Sequence, residues 1–133
     1  MSTPLTITEI MRFSDRLYRE TEIISITADE GVHRSTYGAV FKRANQVAHV
    51  LDHLGVEPGN RVATLAWNDH RHLELYYGVS CSGAVLHTIN PRLFPEQLAY
   101  IMNHANDQIV FFDPMFLPLV EGLADKLSSV NLK

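Results

Sequence analysis

Residues 61–93, RVATLAWNDHRHLELYYGVSCSGAVLHTINPRL, read as strand, helix, strand and an Asn-Pro-Arg turn with almost no slack between them. RVATLAW is a short apolar run without alternation, the pattern of a strand buried on both faces. Asn68 or Asp69 can cap the helix that follows, and Gly83 supplies its left-handed end. AVLHTI is a second apolar run, stopped by Asn90 and Pro91. Two parallel strands joined by a crossover helix are the unit of an α/β sheet, and such sheets bind ligands outside the carboxyl ends of their strands.

Working outward, the alternation continues on both sides. Upstream, Tyr37, Val40, Phe41, Ala44, Val47, Ala48, Leu51 and Leu54 recur at three- and four-residue steps and predict a helix over 37–54, capped by Thr36 and ended by Gly55. Glu57-Pro58-Gly59-Asn60 has the order a type II turn favours. Residues 7–19 carry a helical stripe of Ile7, Ile10, Met11, Leu17 and Tyr18 with Thr6 or Thr8 as cap, and EIISITADEGVHRSTY reads as a hairpin turning at Asp29-Glu30-Gly31. Downstream, Pro95 fits the first turn of a helix lined by Leu98, Ile101, Met102 and Ala105. QIVFFD is a third buried strand, Asp113-Pro114 starts a helix with Phe116, Val120, Leu123 and Leu127 inward, and SSVNLK reads as the start of a further strand. The expected fold is α/β: a parallel sheet with helices on both faces, plus an N-terminal helix and β-hairpin.

A chain of 133 residues suits a single domain, 1–133, that buries roughly two-thirds of the surface its unfolded form exposes. With 46% hydrophobic and 20% charged residues, a packed core is expected rather than disorder. The net charge of −4 and the lack of any basic run longer than Lys42-Arg43 argue against a nucleic-acid partner. One cysteine excludes an internal disulfide and suits a reducing compartment. The N-terminus has no apolar signal core, and no apolar run approaches the ~20 residues of a transmembrane segment. A cytoplasmic location is the expectation.

The chemistry-bearing residues are few. Gly78 and Gly83 have the five-residue spacing of a phosphate-cradling loop, but Ala84-Val85 stand where that loop needs Lys and Ser or Thr, so a structural role is expected. His49 and His53 are four apart on the polar face of a helix, and no third ligand lies near them in sequence. His70 and His72 are two apart and point to different sides of a helix start. Cys81 sits near a helix C-terminus, where the dipole disfavours a thiolate. His87 lies in a buried strand near its carboxyl end; a hydrogen-bonded core histidine is the default, with ligand contact as the alternative. Arg92 stands on the turn after a parallel strand, where a guanidinium can grip a phosphate bidentately or form a surface salt bridge.

Six segments carry a further signal: STYGAVFKRANQVAHVL (35–51), GVEPGNRVATLAWN (55–68), HRHLELYYGV (70–79), GAVLHTINPRL (83–93), EQLAYIMNHA (96–105) and IVFFDPMFLPLVE (109–121). In order and spacing, from about Thr6 onward, they resemble the N-terminal portion of AMP-forming acyl-CoA synthetases, the adenylate-forming superfamily, and most of all the medium- and long-chain fatty-acid–CoA ligases. The resemblance implies a two-step ligase that uses ATP with Mg²⁺ to activate a fatty acid as an acyl-adenylate and then passes the acyl group to CoA. It also implies that the turn Asn90-Pro91-Arg92 borders the CoA channel, so that Arg92, with Asn90 and His87 beside it, is the candidate cofactor contact. Two departures stand out. VSCSG (79–83) lacks the Pro, Gly or Met usual before its glycine, and Phe94 replaces a helix-capping Ser or Thr at a cost of about 1 kcal/mol.

The family's Ser/Thr/Gly-rich phosphate loop, its Thr-Glu pair, its ribose-binding Asp and its C-terminal domain with the catalytic Lys have no counterpart in these residues. The chain is therefore expected to be an inactive N-terminal fragment, an incomplete portion of the large domain that binds no cofactor tightly. It is expected to self-associate through the unfinished strand near Val130 or another sheet edge. The alternative expectation is a free-standing α/β binding or protein-interaction module without catalysis.

Overall fold

A computed structural model describes residues 5–128 and Val130. Two compact units emerge, one formed by the chain up to Gly55 together with Asn68–Gly83, the other by Val56–Trp67 together with the chain from Ala84 onward.

The first unit holds helix α1 (Ile7–Leu17), the antiparallel strands β1 (Glu22–Thr27) and β2 (Gly31–Thr36), helix α2 (Tyr37–His53) and helix α3 (His70–Cys81). The hairpin turns where the sequence predicts, and Thr27 closes it: its Oγ1 accepts the Glu30 N–H at 2.9 Å and donates to the Gly31 carbonyl at 3.3 Å. Helix α2 buries Val40, Phe41, Ala44 and Leu51 of the predicted stripe. Thr36 Oγ1 accepts the Ala39 N–H at 3.3 Å, and Gly55, just past the helix, has φ 76°. Of the two candidate caps of α3, Asp69 does the work, its Oδ1 accepting the N–H groups of Arg71 at 2.9 Å and His72 at 3.2 Å.

Gly78 is buried in α3 where α2 presses on it; a Cβ there would stand 2.6 Å from Val47 and 2.9 Å from the Ala44 carbonyl oxygen. The Gly78–Gly83 spacing is thus helix packing and helix termination. The stripe of α1 differs from expectation. Thr6 is its N-cap but makes no side-chain capping bond, and none of the helix's residues is buried, Ile10 and Leu17 being about half exposed at 53% and 55%.

The second unit is built on three parallel strands, β3 (Arg61–Leu65), β4 (Val85–Thr88) and β5 (Asp107–Phe112), in the order β4-β3-β5. Asn60 donates its N–H to the Glu57 carbonyl at 3.0 Å across Gly59 at φ 85°, the type II geometry that aims the chain into β3. Val62, Ala63, Thr64 and Leu65 are all buried, as an unbroken apolar run in a parallel sheet requires. Helix α4 (Pro95–Ala105) and helix α5 (Leu117–Leu123) supply Leu98, Ala99, Met102, Val120 and Leu123 to a core shared with Ala63, Leu65, Ile89 and Val110.

Three details bear on the sequence reading, the first as a correction. The chain after Asp113 first makes a 3₁₀ turn, Pro114–Phe116, and α5 begins only at Leu117. A phenyl ring has no acceptor, so Phe94 caps nothing; Gln97 reaches back instead, its Oε1 accepting the Phe94 N–H at 3.1 Å. Of the predicted C-terminal strand, residues 129 and 131–133 lie outside the described residues. Ser128 is held by Asn103, whose Oδ1 accepts its N–H at 2.9 Å, and Val130 packs against the core.

Gly78→Ala is expected to lower stability by about 1–3 kcal/mol, because a backbone oxygen blocks the new methyl. Gly122→Ala, at a helical site with nothing within 4 Å, should be neutral or stabilising by up to about 1 kcal/mol. Urea unfolding midpoints of the two variants check both signs.

Candidate functional site

The carboxyl ends of the three parallel strands converge on one cluster of side chains. Past β5, Asp113 donates its N–H to the Leu65 carbonyl at 3.1 Å, and its carboxylate Oδ2 accepts the Trp67 N–H at 2.8 Å. The ends of β3 and β5 are tied together by this one residue. Trp67 donates its indole Nε1–H to Met115 Sδ at 2.9 Å, and its ring lies 5.5 Å from that of Phe116. Past β4, Asn90 Oδ1 accepts the Arg92 N–H at 3.0 Å and the Asn90 carbonyl accepts the Leu93 N–H at 3.2 Å, locking the turn. The Arg92 guanidinium then sits over the Trp67 ring, 5.7 Å from its centroid, in cation–π contact.

Arg92 is exposed and forms no ion pair among the described residues, so the surface salt bridge entertained from the sequence is not what occupies it. A charged fork without a carboxylate partner is free to take an anionic oxygen. Asn90 shapes the turn through its side-chain oxygen. His87 is placed elsewhere. Its Nδ1 bonds the Asp107 carboxylate at 2.8 Å, and Asp107 is fully buried at the amino end of β5, in register with Arg61. Burial pushes the Asp107 carboxyl above the usual range, and the hydrogen bond from His87 works against that rise. The three residues singled out from the sequence therefore divide: Asn90 and Arg92 share a turn at one end of the sheet, and His87 is bonded to a carboxylate at the other.

A second cluster lies in the first unit, where a hollow of about 500 Å³ is lined by His33, Arg34, Arg43, His70, Arg71 and Glu74 among others. The imidazoles of His33 and His70 stack at 3.6 Å and 10°. Its arginines are already engaged: Arg34 with Glu22 at 2.8 Å, Arg43 with Glu74 at 3.2 Å, and Arg71 with Asp29 at 3.0 Å and Glu30 at 2.9 Å. The Arg71 hydrogen bond holds the Asp29 carboxyl below its usual range. His70 Nδ1 is buried without a hydrogen-bond partner, and burial, aided by His33, pushes the His70 pKa down. The sequence points to His70 but not to His33: alternation in β2 would turn apolar Val32 inward, and the structure instead exposes Val32 and turns His33 in.

The remaining candidates sit as their spacing implies. His49 and His53 are exposed on α2, and Cys81 ends α3 with its Sγ 3.8 Å from Met11 Sδ. Among the described residues, no three His, Cys, Asp or Glu side chains gather as a metal cage would, and no helix is long and apolar enough to cross a membrane.

The AMP-binding enzyme family matches residues 13–132 of this chain. The chain belongs to that family. It is 51% identical over 131 residues to the 3-methylmercaptopropionyl-CoA ligase of Ruegeria pomeroyi, covering 98% of this chain and 24% of that protein. It is 45% identical to the long-chain-fatty-acid–CoA ligase of Thermus thermophilus over the same shares of the two chains. The chain thus spans about a quarter of the length of these relatives. The crystal structure of an anthranilate CoA ligase in complex with anthranoyl-AMP shares the fold, with a TM-score of 0.83 at 24% identity over 98% of this chain and 26% of that one.

Because the folded pKa of His70 lies below its free value of 6.5, the unfolded chain takes up a proton before the folded one as pH falls. The stability this group contributes is complete above about pH 6.5 and declines as pH drops toward the depressed folded value. Urea midpoints measured from about pH 7 to 5 should fall, and His70→Gln should flatten that slope.

Proposed function

We propose that the complete protein is an acyl-CoA ligase that activates an apolar carboxylic acid with ATP and transfers it to CoA, and that this chain contributes part of the CoA entry. The observation that carries the CoA assignment is the exposed Arg92 guanidinium, without an ion pair among the described residues, at the carboxyl end of the parallel sheet, where such sheets take ligands. In a member of the AMP-binding enzyme family, its fitting occupant is a phosphate of the CoA nucleotide, bound through parallel N–H···O bonds. Gly78 is pressed against Val47 inside a helix and Gly83 ends that helix, so neither forms a phosphate cradle. Nucleotide and metal chemistry is accordingly assigned to other parts of the complete protein, and this chain alone is inactive as a ligase.

The acid is a fatty acid or a short thioether acid, the classes named in the two relatives given above. Thioester formation by the complete protein with 3-methylmercaptopropionate, a medium-chain and a long-chain fatty acid decides between them, and turnover of none of the three removes the reading. The isolated chain is proposed to self-associate, since Ile24, Ile26 and Val32 of the hairpin stay exposed; a monomeric mass by light scattering at micromolar concentration removes that.

Arg92→Ala in the complete protein should raise the apparent KM for CoA roughly tenfold, as loss of a charge-assisted bond implies, with adenylate formation nearly unchanged. An unaltered CoA dependence would falsify the assignment.

A further inference from the structure

We propose that Trp67 is a positioning residue for CoA: its indole face sets the direction in which Arg92 presents its guanidinium to the incoming phosphate. The inference rests on the reading of Arg92 as a CoA contact and adds to it the group that makes the contact selective. An exposed arginine on a turn samples many rotamers, and ordering it on binding opposes affinity. Here the side chain already lies over an aromatic face, 5.7 Å from the ring centroid, with no carboxylate among the described residues competing for it.

The ring is itself fixed from three directions. Asp113 Oδ2 holds the Trp67 backbone N–H at 2.8 Å, Met115 Sδ takes the indole Nε1–H at 2.9 Å, and Phe116 lies against the ring at 5.5 Å and 48°. Each strand of the sheet supplies one part: Trp67 follows β3, Arg92 follows β4, and Asp113 follows β5. The orientation of the guanidinium is therefore referred to the whole sheet rather than to a single loop. Cation–π contact leaves the N–H edge of the fork open, so the interaction that holds Arg92 does not consume the donors that a phosphate needs.

The test compares Trp67→Leu, Trp67→Phe and Arg92→Ala in the complete protein, with the CoA and adenylate half-reactions followed separately. Trp67→Leu should raise the KM for CoA about two- to fivefold, and Trp67→Phe, which keeps a π face, should recover most of that loss. Combined with Arg92→Ala, Trp67→Leu should add nothing further. If Arg92→Ala weakens CoA binding and Trp67→Leu does not, the positioning role is overturned while the CoA reading stands. If Arg92→Ala leaves CoA binding unchanged, both fall. Equal losses in the two half-reactions for Trp67→Leu mark a purely structural residue and also overturn the inference. Should Trp67→Leu not fold, Met115→Leu, which removes only the acceptor of the indole N–H, carries the test: a smaller rise in the KM for CoA supports the inference, and no change overturns it.

Discussion

The hydrogen-bonded ladder on both sides of β3 is the constraint from which the rest of the second unit follows. Among the described residues it is the one strand of the sheet with a parallel partner on each flank, and its residues from Val62 to Leu65 are buried. Buried backbone groups must find partners, and the ladder supplies them. The pairing continues past the strands themselves, through Val85 N–H to the Asn60 carbonyl at 2.8 Å, Ile89 N–H to the Thr64 carbonyl at 2.9 Å and Asp113 N–H to the Leu65 carbonyl at 3.1 Å. Parallel pairing also dictates that every strand leaves the sheet at the same end. Trp67, Arg92 and Asp113 meet there because of chain direction before any side-chain attraction acts.

Charge is handled differently at the two ends of this sheet. At the amino end, Asp107 is fully buried and its raised carboxyl is offset by the bond from His87. That pair answers a burial cost. At the carboxyl end, Arg92 is exposed, has an aromatic surface beneath it and, among the described residues, forms no ion pair. An unneutralised cation held in place is a poor stabilising device, since exposed charge contacts contribute little to folding, but it suits recognition of an anion.

Much of this architecture was legible in the residues. Helix α2, its Thr36 cap and Gly55 terminus, the hairpin turn and the buried runs of β3 and β5 all obey local rules of period, capping and turn chemistry, whereas β4, expected as a buried run, leaves Val85 and Thr88 exposed. The misses came where a local rule met a tertiary demand. His33 drew no notice in the hairpin, because nothing in the order of residues says that α3 will set His70 against it. Asp113 read only as a helix start; its bond to the Trp67 N–H joins residues 46 positions apart. The same separation hid Trp67, which a periodicity argument counts merely as the end of an apolar run.

By itself, the sequence determined element type, strand direction and the location of the Asn90-Pro91-Arg92 turn, since each depends on neighbours a few residues away. It also determined family membership, through six segments in a set order. Only the tertiary structure decided which polar groups meet. It sent His87 to Asp107 and set Arg92 over the Trp67 ring. Those outcomes depend on strand order and register, and the β4-β3-β5 arrangement is fixed by packing across the sheet, which no local pattern encodes.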